Sequence, residues 1–172
     1  MSRGCVQVYT GDGKGKTTAA IGLAVRAAGA GWRVFIAQFM KLGDYSELEG
    51  LRPLAPRVTV EQFGTGRFVR GAPDAQDLAA ARAGLARVRA VFAAGTHDLV
   101  ILDEANVAAA TGVLPTADLL ALLDLRPPAI EVVLTGRNAP PELVSRADLV
   151  TEMRAVRHYF QAGVPAREGI EK

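Results

Sequence analysis

The sequence predicts a single α/β domain, residues 1–172, with a mostly parallel sheet of about six strands and helices on both faces. Short apolar runs alternate with helical patterns along the chain, which is typical of repeated strand–helix–strand units. A chain of 172 residues has the length of one domain. Its hydrophobic fraction of 49% argues against disorder and supports a folded core.

The strands are short runs rich in branched and aromatic residues. They are predicted at residues 6–9, 33–39, 58–63, 98–102, 131–135 and 149–153. The run at 98–102 is almost continuously apolar, which predicts a strand buried on both faces. The helices are predicted at residues 17–30, 74–94, 116–125 and 140–147. In the 74–94 helix, apolar residues recur every three or four positions, as on a helix face that packs against a sheet.

Ligands of such parallel sheets bind in a crevice at the carboxyl ends of the strands. The loops that leave those ends are therefore the first places to look for a functional site. They begin at Thr10, Gln38, Gly64, Asp103 and Gly136.

The strongest motif lies between the first strand and the first helix and reads Thr-Gly-Asp-Gly-Lys-Gly-Lys-Thr-Thr over residues 10–18. Its glycines let backbone N–H groups surround an anion, and the helix N-terminus adds partial positive charge. Strand, loop and helix together are the context of a P-loop, so the fold is predicted to be of the RecA-like P-loop NTPase type. Thr10 stands where the usual pattern has glycine, and the loop is one residue shorter, beginning at Gly11.

This loop is expected to bind the phosphates of ATP. Lys16 would reach phosphate oxygens, Lys14 would be a second phosphate contact, and the Thr17 hydroxyl would ligate Mg²⁺. Asp12 could instead cap a local turn. The expected ATP-binding residues of the loop are Gly11, Asp12, Gly13, Lys14, Gly15, Lys16, Thr17 and Thr18.

The apolar strand at 98–102 is followed by two carboxylates, Asp103 and Glu104. This is the Walker-B arrangement, in which a carboxylate holds magnesium directly or through water. If the strand continued, the two side chains would point to opposite sides, and only one would face the metal directly. A helix-capping acidic pair is the alternative. Asn106 lies close by and could contact either metal ligand or serve as an ordinary cap.

Together these stretches resemble the P-loop corrinoid adenosyltransferases, also called cob(I)yrinic acid a,c-diamide adenosyltransferases. The resemblance covers nearly the whole chain, in order. The stretches 135–138 and 147–153 are more restrictive than the P-loop alone. The resemblance is carried by residues 9–20, 38–41, 98–104, 134–140, 147–153, 157–158, 163 and 169–171.

The resemblance implies transfer of the 5′-deoxyadenosyl group of ATP to the cobalt(I) centre of a corrinoid, with release of tripolyphosphate. ATP is then a co-substrate, and Mg²⁺ is the expected cofactor, held by Thr17, Glu104 and Asp103. Cobalt(I) is already a strong nucleophile, so the protein need not supply a base. Its tasks are to aim the 5′ carbon at cobalt and to stabilise the leaving triphosphate. The expected catalytic residues are Lys16, Glu104 and Arg137.

Two further regions acquire expected roles from the resemblance. Family members place aromatic residues of the loop from Gly64 to Pro73 against the corrin face, where they displace a ligand from cobalt. Phe68 would match such an aromatic residue, or else pack locally. Arg67 and Arg70 could meet the corrinoid periphery or remain surface residues. Arg26, on the first helix, is expected to contact the nucleotide, although the helix alone would place it at the surface.

Composition limits the partners and the location. Twenty basic and eighteen acidic residues give a net charge of +2, which does not indicate a nucleic-acid partner. There is no apolar run long enough to span a membrane and no signal-peptide core, so we expect a cytoplasmic protein without membrane contact. One cysteine and two histidines argue against a zinc site. The resemblance implies a homodimer and a flavoprotein or other electron donor.

Two other functions remain open from the residues alone. A RecA-like ATPase motor or switch would use Asp103 and Glu104 for hydrolysis, but no basic stripe with interleaved aromatics is evident. A small-molecule kinase would use the same phosphate loop. Kinases usually need a lid to exclude water, and the only long candidate, Met40 to Pro56, has a single arginine. The products separate these functions, because only adenosyl transfer releases tripolyphosphate.

Overall fold

The computed structural model describes residues 3–67 and 71–171. Within them, one sheet has the strand order β3-β2-β4-β5-β1-β6, and each neighbouring pair is parallel. The predicted α/β class is confirmed, and the described sheet is wholly rather than mostly parallel. The strands are β1 (Val6–Thr10), β2 (Val34–Phe39), β3 (Val58–Phe63), β4 (Leu99–Asp103), β5 (Glu131–Thr135) and β6 (Leu149–Glu152).

The helices of the described ranges are α1 (Lys16–Gly29), α2 (Ser46–Leu51), α3 (Ala75–Ala94), α4 (Ala105–Ala110), α5 (Thr116–Asp124) and α6 (Pro141–Arg146). Short 3₁₀ helices follow at Arg52–Leu54 and Tyr159–Ala162. The four predicted helices are confirmed to within a residue at each end. The other two, α2 and α4, were not predicted, because six residues are too few to show a helical stripe, and neither begins with the proline that indicated the equally short α6. None of these helices is long and apolar enough to cross a bilayer.

Helices cover both faces of the sheet, as predicted. Side chains of a strand alternate between the two faces, and the core divides accordingly. On one face, the alanines of α1 pack with Ile36 and Ile101. On the other, α3, α4, α5 and α6 pack with Phe35 and Leu102. All five residues of β4 are buried at the centre of the sheet, which confirms the strand predicted to be buried on both faces.

The position of β1 determines where the site lies. β1 lies between β5 and β6, and β5 separates it from β4. The strand that leads to the phosphate loop and the strand that ends in the acidic pair are thus one strand apart, as in RecA-like P-loop proteins. Because the strands are parallel, their carboxyl ends share one edge, and the predicted loops meet there.

Candidate active site

The phosphate loop, residues 11–16, makes a sharp turn between β1 and α1. Gly11 and Gly15 have φ values of 95° and 115°, which residues with a side chain rarely adopt. A Cβ on Gly11 would also lie 2.4 Å from the carbonyl oxygen of Met153. The backbone of the turn therefore requires glycine at positions 11 and 15.

Lys16 places its charge inside this turn. Its side chain is buried, and Nζ donates hydrogen bonds to the carbonyls of Gly11 at 2.7 Å and Gly13 at 2.6 Å. Burial lowers the pKa of Lys16, and the neighbouring Arg137 lowers it further, against the opposite effect of Glu104. The ammonium group therefore lies among loop carbonyls with little water, where an incoming phosphate would be a strong alternative partner.

The outer side of the phosphate loop contacts the C-terminal tail, residues 153–171. The Gly13 amide donates to the Met153 carbonyl at 2.6 Å. The exposed Lys14 donates from Nζ to the Ile170 carbonyl at 2.6 Å. Both Gly13 and Lys14 were predicted to contact phosphate, and in this structure their N–H groups bond to the tail. A phosphate would have to replace those bonds.

Asp103, at the end of β4, is the most heavily hydrogen-bonded carboxylate of the site, and only 1% of it is exposed. Its Oδ1 accepts from the hydroxyls of Thr17 at 2.8 Å and Thr135 at 2.7 Å. Its Oδ2 accepts from Lys41 at 2.8 Å and from Gln38 at 3.4 Å. These donors come from α1, β5, β2 and the residues after β2, so Asp103 joins four parts of the fold.

Glu104 differs from its neighbour because the strand ends at Asp103. Glu104 has a φ of 60°, lies at the start of α4 and makes no capping hydrogen bond with its side chain. The strand therefore does not continue through Glu104, and the Glu104 side chain does not cap the helix. Burial and the Asp103 charge raise the pKa of Glu104, while Lys41, Lys16 and Arg137 oppose that shift. The carboxyl group thus lies within electrostatic reach of the cations around the phosphate loop.

These groups can hold a magnesium ion with few protein ligands. The Thr17 hydroxyl donates its proton to Asp103, which leaves its lone pairs for a cation. Across residues 3–67 and 71–171, no three His, Cys, Asp or Glu side chains converge on one point. Mg²⁺ bound to nucleotide phosphates typically takes only one or two carboxylates from the protein, so Thr17 and Glu104 fit such an ion. Asp103 fits a supporting role, since both of its oxygens accept hydrogen bonds.

Three residues of the site had no role assigned from the sequence: Gln38, Lys41 and Thr135. Lys41 is 2.8 Å from Asp103 and 3.4 Å from Glu47 of α2. Burial lowers the pKa of Lys41, but the Asp103 and Glu47 carboxylates outweigh it, so the pKa is raised and the ammonium stays charged. All three residues lie at the carboxyl ends of strands beside β4. Their position after predicted strands is visible in the sequence. It identifies them as neighbours of Asp103 only once the order of the strands in the sheet is known.

The loop after β5 carries Arg137 to the same place. Arg137 is exposed, and its charge acts on both Lys16 and Glu104, so the three expected catalytic residues lie within electrostatic reach of one another. Asn106 is fully buried and donates from Nδ2 to the carbonyls of Tyr9 at 3.3 Å and Gly136 at 3.2 Å. Its amide joins the end of β1 to the loop after β5. This role differs from the two that were predicted, a contact to a metal ligand and an ordinary helix cap.

Arg26 lies away from the phosphate loop, and its expected contact with the nucleotide stays a prediction. It lies in the last turn of α1, where its side chain is exposed. Ten residues of helix separate it from Lys16, a rise of about 15 Å. Asp12 and Thr18 do lie at the phosphate loop, at exposed positions.

Of the expected corrinoid contacts, Phe68 and Arg70 lie outside the described residues. Arg67 forms ion pairs with Asp74 and Asp77, the latter at 3.2 Å. Those two aspartates form the capping box at the start of α3. Arg67 therefore attaches its loop to α3 through a half-exposed ion pair, and its expected contact with the corrinoid stays a prediction.

Comparison with known proteins agrees with this geometry. A family model described as ATP:corrinoid adenosyltransferase BtuR/CobO/CobP matches residues 2–171. The corrinoid adenosyltransferase of Pseudomonas aeruginosa is 38% identical over 171 residues, covering 98% of this chain and 84% of that protein. The corrinoid adenosyltransferase of Escherichia coli K12 is 37% identical over 169 residues, covering 98% of this chain and 86% of that protein.

Among solved structures, domain III of the Thermotoga maritima replication initiation protein DnaA superposes with a TM-score of 0.45 at 16% identity, over 88% of this chain and 55% of that one. This likeness is too low to support an argument. The family match, by contrast, spans almost every residue that forms the fold and the site. On that ground the chain belongs to the ATP:corrinoid adenosyltransferase family.

Proposed function

We propose that this protein transfers the 5′-deoxyadenosyl group of ATP to the cobalt(I) centre of a corrinoid and releases tripolyphosphate. In this reaction the cobalt electron pair forms the cobalt–carbon bond. The bond between C5′ and the phosphate oxygen breaks, and that oxygen keeps its electron pair. The observation that carries the proposal is that Lys16 lies inside the phosphate loop within electrostatic reach of Glu104 and Arg137, in a chain of this family.

The residues of the chain serve mainly to bind and stabilise the leaving triphosphate. Negative charge grows on the leaving oxygen in the transition state, and fixed cations nearby lower the barrier. Lys16 supplies one such charge from inside the phosphate loop and Arg137 a second from the loop after β5. The N-terminus of α1 adds its partial positive charge. No proton has to move, because cobalt(I) attacks without activation by a base.

We propose Mg²⁺ as the cofactor, held by Thr17 and Glu104 together with phosphate oxygens. When bound, it neutralises phosphate charge and favours departure of the triphosphate. Asp103 was expected to be a ligand as well. Because Lys41, Gln38 and two hydroxyls occupy its oxygens, we assign it the task of orienting the Thr17 hydroxyl.

We propose that the corrinoid lies against the loop of residues 64–73. This loop leaves β3 at the edge of the sheet that carries the phosphate loop. A Cβ on Gly64 would lie 2.5 Å from the backbone nitrogen of Lys41. The loop therefore begins directly beside Lys41, whose side chain donates to Asp103. Such a position would bring the corrinoid close to the 5′ carbon of ATP. The proposed corrinoid contacts are Arg67, Phe68 and Arg70.

We further propose a cytoplasmic homodimer that receives electrons from a flavoprotein or another reductant. The edge strand β6 supports a subunit contact, since Leu149 and Val150 are 45% and 42% exposed there. A strand edge that is left unpaired within the described residues offers backbone groups for pairing with another chain, and exposed apolar side chains there favour such a contact. The electron donor is required by the chemistry, because cobalt must reach the +1 state before it can attack carbon.

The test is an incubation with ATP, Mg²⁺ and chemically reduced cob(I)alamin in the absence of oxygen. The absorbance spectrum reports a light-sensitive cobalt–carbon bond, and a separate assay reports tripolyphosphate. We expect both products. If ATP yields ADP, and neither cobalamin, cobinamide nor an a,c-diamide acquires the adenosyl group, a motor or kinase function replaces this one.

A further inference from the structure

The loop that carries Arg137, residues 136–140, is attached at two points to the end of β1. The Gly136 amide donates to the Tyr9 carbonyl at 3.1 Å. The Ala139 amide donates to the hydroxyl of Thr10 at 3.2 Å. Tyr9 and Thr10 are the last two residues of β1, and the phosphate loop begins at the next residue. The Arg137 loop is thus held directly against the start of the phosphate loop.

Asn106 adds a further attachment from α4, through the bonds from Nδ2 to Tyr9 and Gly136. Its Oδ1 is buried and has no hydrogen-bond partner among the residues that the structure describes. A buried acceptor without a donor is destabilising, and an apolar residue of similar size would avoid that cost. The polar residue at this position is therefore explained by the two bonds that its amide donates.

The backbone of the Arg137 loop is unusual between these attachments. Gly136 has a φ of 131° and Asn138 a φ of 55°. A Cβ at Gly136 would lie 2.9 Å from the backbone nitrogen of Val107. Uncommon backbone conformations persist when the surrounding structure determines them, and they cluster at functional sites. Arg137 lies between the two unusual residues, so the attachments determine where its side chain begins.

We propose that Thr10 is a positioning residue for Arg137. Its hydroxyl accepts the Ala139 amide and thereby holds Arg137 at the distance from the phosphate loop that triphosphate binding requires. The usual P-loop pattern has glycine at this position, and glycine offers no side-chain acceptor. The departure of the sequence from the pattern thus supplies the attachment. The proposal rests on the proposed function in one respect, that Arg137 contacts the triphosphate.

Three substitutions at Thr10 test the role of the hydroxyl. Thr10→Val keeps the shape and removes the acceptor, Thr10→Ser keeps the acceptor, and Thr10→Gly restores the usual pattern. The readout is the affinity for tripolyphosphate with Mg²⁺, measured by calorimetry, with thermal unfolding as a check on folding. We expect the Kd to rise about fivefold in the Val and Gly variants. The Ser variant is expected to bind like the wild type.

The decisive measurement combines Thr10→Val with Arg137→Ala. The Arg137→Ala variant alone should raise the Kd about 20-fold, because a charge-assisted contact is lost. Adding Thr10→Val should then change nothing further, since Thr10 acts through Arg137. A merely structural role of Thr10 would instead weaken binding equally in both backgrounds.

Three results would overturn the inference: a Gly variant that binds like the wild type, additive effects of the two substitutions, or an Arg137→Ala variant with unchanged affinity. The binding assay does not depend on adenosyl transfer. A protein that shows the expected coupling but forms no cobalt–carbon bond would therefore refute the proposed function and leave this inference standing. A protein that transfers the adenosyl group but shows no coupling between Thr10 and Arg137 would support the proposed function and refute this inference.

Discussion

The phosphate loop is contacted on two sides, and the contacts differ in burial and charge. On its inner side, Thr17, the residue that follows the loop, donates a hydrogen bond to Asp103, a carboxylate that is 1% exposed. On its outer side, the exposed Lys14 and the Gly13 amide bond to carbonyls of the C-terminal tail. A buried charge that loses its partner is strongly destabilising, whereas an exposed group can return to water. The inner side therefore determines where the loop lies, and the outer side can exchange its partners for a ligand.

The largest expected effect is on activity, from the inner side. Lys16→Ala should lower the rate of adenosyl transfer roughly 10³-fold, because the charge inside the loop no longer stabilises the leaving triphosphate. The rate is measured from the appearance of the cobalt–carbon bond, and circular dichroism shows whether the variant is folded. Lys16→Arg is the matched control that keeps the charge. A folded Ala variant with the wild-type rate would contradict the role of the loop.

The second largest expected effect is a loss of stability when Asp103, on the inner side of the loop, is replaced. Asp103→Asn should lower the free energy of unfolding by about 2 kcal/mol, because the nearly buried Lys41 ammonium loses the nearer of its two carboxylate partners and keeps only Glu47. Denaturant titration of the metal-free protein measures this loss. The double variant with Lys41→Met is the control, and it should recover part of the stability since neither charge remains. An Asp103→Asn variant as stable as the wild type would show that the Asp103 carboxylate does not stabilise the fold.

On the outer side, Lys14→Ala should have a smaller and different effect. The bond from Lys14 to the Ile170 carbonyl is exposed, so the free energy of unfolding should change by less than about 1 kcal/mol. If Lys14 turns to phosphate when ATP binds, the KM for ATP should rise about fivefold, and Lys14→Arg should restore it. An unchanged KM would leave Lys14 as a contact of the tail alone.

The smallest expected effect concerns the tail itself. Hydrogen bonds from Arg167 and Tyr159 lower the pKa of Glu171 from 4.5 to about 2. A lowered pKa in the folded state stabilises the tail above pH 4.5, and this contribution is lost as the pH falls from 4.5 towards 2. Amide protection in residues 167–171, corrected for intrinsic exchange rates, should therefore decrease between pH 5 and pH 3 while global stability changes little. Glu171→Gln should show low protection throughout, and protection that is constant with pH would contradict this assignment.

Much of the inner side could be predicted from the sequence because local patterns encode it. The glycines and lysine of the phosphate loop are consecutive, and their conformation depends on neighbours in the chain. The strand predicted at 98–102 led directly to Asp103 and Glu104. The end of another strand placed Arg137 in the crevice, and the resemblance supplied its expected role. In each case a motif or a strand end was enough to place the residue in the crevice.

The partners of Asp103 could not be predicted in the same way. Gln38 pairs in register with Asp103, and Thr135 ends β5 on the opposite flank. Which strands are neighbours depends on the packing of the whole sheet, and no local pattern contains that information. The expected contact of Arg26 with the nucleotide came from the resemblance and stays a prediction. In the structure Arg26 lies in the last turn of α1, at the end away from the phosphate loop.

The order of the strands also has a consequence for synthesis of the protein. β1 leaves the ribosome first, yet both of its neighbours, β5 and β6, belong to the last quarter of the chain. Val6 cannot pair until Val132 has been made. Such distant pairings form late and slowly. The unfinished chain therefore exposes its glycine-rich loop without the sheet that shapes it, and capture of a nucleotide must wait until β5 and β6 have been synthesised.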